Sequence, residues 1–167
     1  MLVSVLTLII FFYQTSLMRE QSRLSVLPRL SFETNEVPRD SIFEWVYYLN
    51  NKGIGPAILE KLVIVQDGKE YPMRFRDFFD EMYPEHTKYG KFVQTYNLSY
   101  GSTLVAGETR RLCTYHIPMR NLDKLMKYIG LTTENKELPF KIVVDYKSIY
   151  NDAWRLDSEE IGHPKPL

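Results

Sequence analysis

The sequence predicts a mainly β domain, an antiparallel β-sandwich with two short inserted helices, set behind an N-terminal transmembrane helix. About seven short segments alternate apolar and polar residues between turn signals, as half-buried strands require. Two other stretches carry apolar residues at helical spacing. Met1 to Met18 is uncharged and ends at Arg19, near the lower length limit for a helix that crosses a bilayer.

The 167 residues suffice for one domain plus an appendage. Aromatic residues make up 14%, with 12 Tyr and 9 Phe, a mix that favours strands. Lys+Arg and Asp+Glu both number 21, so no global charge points to nucleic acid. The single cysteine, Cys113, excludes an intrachain disulfide and a cysteine-built zinc site.

At the start, Met1 to Tyr13 has only Ser4 and Thr7 as polar residues. No basic residue precedes this run and no small-x-small site follows it, so an uncleaved, single-pass anchor is expected. A signal peptide and a buried N-terminal helix are the alternatives. Arg19, Arg23 and Arg29 all flank the C-terminal side, which places the soluble domain in the cytoplasm; Lys or Arg upstream of Met1 would reverse this. Membrane lipid is the expected partner of Met1–Met18. Arg19 to Leu27 continues the helix and Pro28 ends it. The domain bounds are then 1–27 for anchor and juxtamembrane helix, 28–157 for the sandwich and 158–167 for a flexible tail.

Arg29 to Thr34 forms a short first strand, and Asn35 to Asp40, with Pro38, turns the chain. Ile42 to Leu49 follows, with Phe43, Trp45, Tyr47 and Leu49 on one inward face. Asn50 to Ala57 is a corner, with Asn51, Gly53, Gly55 and Pro56 as its structural turn residues. The two glycines permit positive φ or close backbone approach, and Pro56 withholds an N–H. A ligand-binding loop is the alternative, but neither phosphate-binding glycine pattern is present. Ala57 to Val65 is nearly continuous aliphatic, as in a central strand covered on both sides.

Asp67-Gly68 signals a type I′ hairpin returning through Glu70 to Met73. Phe75, Phe78, Phe79 and Met82 then share a face of a helix over Arg74 to Tyr83. Those aromatics belong to the core or form a partner-binding stripe. Residues 85–100 are polar and Tyr-rich, with a strand near Phe92 to Leu98 and a short glycosylation-type match at Asn97-Leu98-Ser99. Leu104 to Glu108 turns at Gly107 into a strand over Thr109 to Ile117. From Pro118 a second helix puts Leu122, Leu125, Met126 and Ile129 on one face, with Gly130 as its C-terminal cap. Arg120, Lys124 and Lys127 lie on the other face, either solvated or in contact with a partner or a membrane surface. After a polar connection, Leu131 to Leu138, the residues Phe140, Ile142, Val144 and Tyr146 mark an edge-to-core strand. Trp154 and Leu156 mark the last strand, and the tail from Ser158 frays.

The pair of turns Asn51-Lys52-Gly53 and Leu104-Val105-Ala106-Gly107-Glu108 resembles the immunoglobulin-like, adhesion-related domains of bacteria (CARDB-like). The longer string Asn51 to Ala57 behind one apolar segment is similar to a group of small bacterial membrane proteins. The resemblance spans 29–157 and implies an immunoglobulin-like sandwich with a binding or scaffolding role. It implies no catalytic residue.

His86, His116 and His163 are far apart and lack metal-ligand spacing, so no metal or cofactor is expected. Cys113 alternates with Arg111 and Tyr115, and strand parity points His116 away from it. No Ser has a nucleophile-elbow setting. Asp77, Asp80 and Glu81, like Glu159 and Glu160, read as solvating charges. The expected function is therefore a membrane-anchored, non-enzymatic module that binds a protein partner through an edge strand or the inserted helices. A small membrane-associated hydrolase with a site near the Tyr-rich 83–100 segment is the alternative. An inward Trp45 makes Trp45→Ala cost several kcal/mol.

Overall fold

The computed structural model describes residues 2–131, 138–160 and 164–167. Among them the strands are β1 (Leu30–Arg39), β2 (Ile42–Asn51), β3 (Ala57–Gln66), β4 (Lys69–Pro72), β5 (Lys91–Thr95), β6 (Thr103–Leu104), β7 (Thr109–Pro118), β8 (Lys141–Lys147), β9 (Ala153–Asp157) and β10 (Lys165–Pro166). Helices are α1 (Leu2–Leu24), α2 (Phe75–Met82) and α3 (Leu122–Tyr128), with 3₁₀ turns at His86–Lys88 and Met119–Asn121. His163 and 132–137, most of the polar connection, lie outside the described residues.

Two antiparallel sheets share one hydrophobic core. The first has the order β1-β2-β7-β5, and the second β10-β9-β8-β3-β4 with β6 also on β3. Leu30, Tyr47, Leu49, Leu112 and Ile117 from the first meet Leu59, Ile64, Ile142, Val144 and Leu156 from the second. The Tyr146 hydroxyl accepts the Leu30 N–H at 3.3 Å, so a polar atom that burial would otherwise orphan bridges the sheets.

Register defines two ends. Asn50 pairs with Thr109 and Ile42 with Pro118. The Asn50–Ala57 corner and the exit of α1 therefore occupy one end, and α3 follows Pro118 at the other, roughly 30 Å away. These are termed the corner end and the helix end.

Several expectations hold in detail. Asp67 and Gly68 have φ of 51° and 76°, the positive pair that a type I′ turn requires. Gly130, at φ 88°, closes α3 in a Schellman motif, with Leu131 N–H bonded to Met126 O at 2.8 Å and Gly130 N–H to Lys127 O at 3.2 Å.

Others are corrected. The first strand runs on through Asn35 and Pro38 to Arg39, because β1 is an edge strand and Pro there costs no ladder bond. The turn is only Asp40-Ser41. β3 is covered on one side. A register shift between Leu59 and Lys61 moves the inward parity from Ala57 and Leu59 to Leu62 and Ile64. The outer face keeps ion pairs, Glu60 with Lys147 at 2.7 Å and Lys61 with Glu70 at 2.6 Å. β8 is interior, paired to β3 and β9, and its Asp145 takes a bidentate Arg155 at 2.7 Å. The tail is not wholly frayed: β10 pairs with β9 through Lys165↔Arg155 and Pro166↔Trp154.

On β2, Tyr47 and Leu49 are buried, whereas Phe43 and Trp45 pack only partly against the core toward the helix end. Leu49→Ala should thus cost about 2–5 kcal/mol, and the half-buried Trp45→Ala less than that. Denaturant midpoints of the two variants check this; the reverse order would contradict the assigned register.

Candidate functional site

Two places gather the residues that sequence patterning singled out, one at each end. At the corner end, Asn51 closes β2 with 1% of its surface exposed. Its Oδ1 accepts the Arg29 N–H at 3.1 Å and the Gly53 N–H at 3.0 Å. Its Nδ2 donates to Gly55 O at 2.8 Å and Leu104 O at 3.0 Å, with Val105 O at 3.3 Å. Its backbone binds the later turn: Asn51 N–H to Glu108 O and Gly107 N–H to Asn51 O, both 2.9 Å. One carboxamide thus supplies both donors and acceptors to three chain segments.

Gly53 and Gly55 serve close approach rather than positive φ. A Cβ on Gly53 would overlap Arg29 N and Leu27 O, and one on Gly55 would overlap Val26 O. The corner lies directly on the stretch that leaves α1. Lys52 N–H bonds Arg29 O at 2.8 Å and Ile54 N–H bonds Leu27 O at 3.0 Å. Arg23 on α1 adds an ion pair with Asp152 in the β8–β9 turn. Gly107, at φ 74°, does use the left-handed region.

At the helix end, Phe75, Phe78 and Phe79 are buried in the core. They are therefore not a contact stripe on the surface: α2 turns its apolar face onto Tyr47, Tyr71 and Phe140. Arg120, Lys124 and Lys127 are exposed, on and just before α3. The Tyr-rich segment ties the two helices together. Tyr128 accepts the Glu85 N–H at 3.2 Å, Tyr89 and Tyr128 rings lie 5.4 Å apart, and Asn121 Nδ2 donates to Tyr89 O at 3.3 Å.

Sequence reading missed one set. His86, 2% exposed, places Nδ1 at 2.9 Å from the Tyr115 hydroxyl and Nε2 at 2.8 Å from Asp80 Oδ1. The Tyr115 hydroxyl also lies 3.0 Å from the His86 carbonyl oxygen. Burial, and then the Asp80 charge, raise the Tyr115 pKa, so this phenol keeps its proton. Asp80, His86 and Tyr115 sit on a helix, a 3₁₀ turn and a strand, with no common spacing to betray them.

Beside this set opens a cleft of about 210 Å³, lined by Trp45, Ile117, Leu125, Met126, Leu131 and Leu138, with Thr34 and Glu36 on β1. Phe79 and Tyr115 contribute to its wall; the polar atoms of His86 and Asp80 do not. Cys113 is buried, and burial pushes its thiol up to about 12, partly offset by a Tyr47 backbone hydrogen bond. His116 pairs with Glu44 at 3.0 Å. Among the described residues no group of three or more His, Cys, Asp or Glu converges as metal ligands would. Among them, too, no helix is long and apolar enough to cross a membrane. No family model matches the chain, and no curated protein matches it.

Asn51→Ala orphans buried carbonyls and amides together and should cost about 3 kcal/mol. Asn51→Asp should cost no less, since a carboxylate would face carbonyl oxygens. Chemical denaturation reads both, and a near-neutral Asn51→Asp would contradict the donor assignment. Alkaline pH supplies another test. Folding raises the Cys113 pKa from 9.0 to about 12, and burial likewise raises Tyr47 and Tyr115. Above pH 9.0 the unfolded chain loses protons that the folded chain keeps, so stability should be full below that pH and fall toward about 12. Cys113→Ala should flatten the early part of that fall in denaturant midpoints measured against pH.

Proposed function

We propose that the chain is a membrane-tethered, immunoglobulin-like binding module, not itself an enzyme, that holds a protein partner at the helix end. The observation that carries this is α1. Its side chains from Val5 to Tyr13, apart from Thr7, include large apolar groups exposed at successive positions. At about 100° per residue these cover every side of the helix, which suits neither a core-facing stripe nor a helix lying flat on a surface. The uncharged part of α1, Leu2 to Met18, extends about 26 Å, a little short of a bilayer core, so it suits a tether seated in the membrane with the charged turns from Arg19 onward outside it. Arg19, Arg23 and Arg29 after the apolar run favour a cytoplasmic domain.

The immunoglobulin-like reading rests on strand order. β1-β2-β7-β5 and β4-β3-β8-β9 follow the A-B-E-D and C′-C-F-G arrangement of that fold. The two turns that carry the bacterial CARDB-like resemblance meet at Asn51, which supports it further. For partner binding, the helix-end cleft offers an apolar recess in which Glu36 is the charged lining residue, while Arg120, Lys124 and Lys127 are exposed on the outward face of α3 and just before it. It suits a segment that presents an apolar side chain. Those three cations lie at the end away from α1, so contact with the same membrane is disfavoured. The hydrolase reading is weaker, because its best support, Asp80–His86–Tyr115, consists of side chains that occupy one another's hydrogen bonds.

Detergent phase partition of the full chain tests the tether. Wild type should enter the detergent phase, and an Ile9→Asp/Phe12→Asp variant should move to the aqueous phase, each buried carboxylate costing about 3 kcal/mol. Wild type remaining aqueous would overturn the proposal.

A further inference from the structure

Connections at the corner end carry large apolar side chains in the open. Ile54 tops the corner itself. Tyr100 precedes Gly101, whose N–H bonds Leu59 O near the start of β3. Val105 follows β6, which pairs with Ala57 and Ile58. Ile149 and Tyr150 form the tip of the β8–β9 turn, where Lys147 pairs with both Ile58 and Ala153. These five are between 47% and 77% exposed. The two hairpin turns at the opposite end are instead Asp40-Ser41 and Asp67-Gly68. The apolar tips come from separate loops with no shared sequence pattern, and they coincide only because the strands end together.

The same end releases α1. Leu27 and Arg29 are bonded to the corner, so only Ser25 and Val26 separate the held segment from the helix. Tyr150 shares a shallow groove with Phe11, Thr15, Met18, Arg19, Ser22 and Arg23, which straddles the end of the uncharged run at Met18–Arg19. That is the level at which the uncharged run gives way to charge, and hence the level of the bilayer interface if α1 is inserted. Tyrosine rings favour that depth, since they keep an apolar body and a polar tip. Arg29 and Lys52 are exposed beside the tips, with no ion pair among the described residues, and complement anionic headgroups.

We propose that this end of the sandwich is a second membrane contact: Ile54, Tyr100, Val105, Ile149 and Tyr150 seat in the interface of the bilayer that α1 enters. The domain then stands upright on the lipid, with the helix end pointing away. This rests on the tether proposed above.

The test uses the full chain in vesicles of phosphatidylcholine with phosphatidylglycerol. Bimane is attached to Ile54→Cys, Val105→Cys or Ile149→Cys, with Ser41→Cys as the helix-end control and Ile10→Cys as the anchor control. Cys113 is buried, so labelling is confined to the introduced thiol. Lipids carrying a nitroxide near the headgroup should quench labels at 54, 105 and 149 and leave 41 bright. Quenching at 10 with none at the loop positions would overturn the second contact and leave the tether standing. No quenching at any position would overturn both. Loop labels shielded from aqueous iodide yet untouched by nitroxide lipid would place a protein surface there, which also overturns the proposal.

Discussion

The side-chain amide of Asn51 is the constraint on which the arrangement depends. A buried carboxamide must satisfy two N–H groups and an oxygen, and here its partners belong to the exit of α1, the corner and the Leu104–Gly107 turn. Apart from Leu104, which ends the two-residue strand β6, none of these partners lies in a ladder. Without Asn51, buried backbone groups from all three would lack partners, a far larger penalty than the net worth of any one hydrogen bond. The glycines at 53 and 55 follow from this, because the corner can reach the amide only by lying backbone against backbone on Val26–Arg29.

Fixing that end leaves the other for variation. Strands of similar length carry the fold from Asn51 to Pro118 and Arg39, and there the inserted helices close the core with Phe75, Phe78, Phe79 and Leu125. The Asp80–His86–Tyr115 set and the Tyr83–Tyr89–Tyr128 contacts bind the insertions to the sandwich and to each other. The cleft lies between α3 and strands β1, β2 and β7, where Trp45 is only partly covered.

Much of this was legible in the sequence, and what was not has physical causes. Asp67-Gly68 and Gly130 are readable because positive φ restricts residue choice at single positions. Both helices are readable because their apolar residues repeat at 3.6. The corner was readable as a turn, but its contact with Val26–Arg29 is backbone to backbone and leaves no side-chain pattern beyond the glycines. β3 was misjudged because one bulge breaks its parity, and β8 because alternation reports one buried face without saying how many neighbours a strand has. The His86 set was invisible, since its members share neither element nor spacing. The apolar tips at the corner end were equally hidden, being single residues in separate loops.

With its partners on the exit of α1, the corner and the later turn, Asn51 forms a junction that is expected to hold α1 and the sandwich as one body. Spin labels at Gln21→Cys on α1 and Asp40→Cys at the far turn span that junction, and the distance distribution between them measures it directly. A single narrow distribution for the full chain in vesicles is the predicted result, broadening when Asn51→Ala is added. A broad distribution with Asn51 in place would show that helix and sandwich move independently, and would contradict the account.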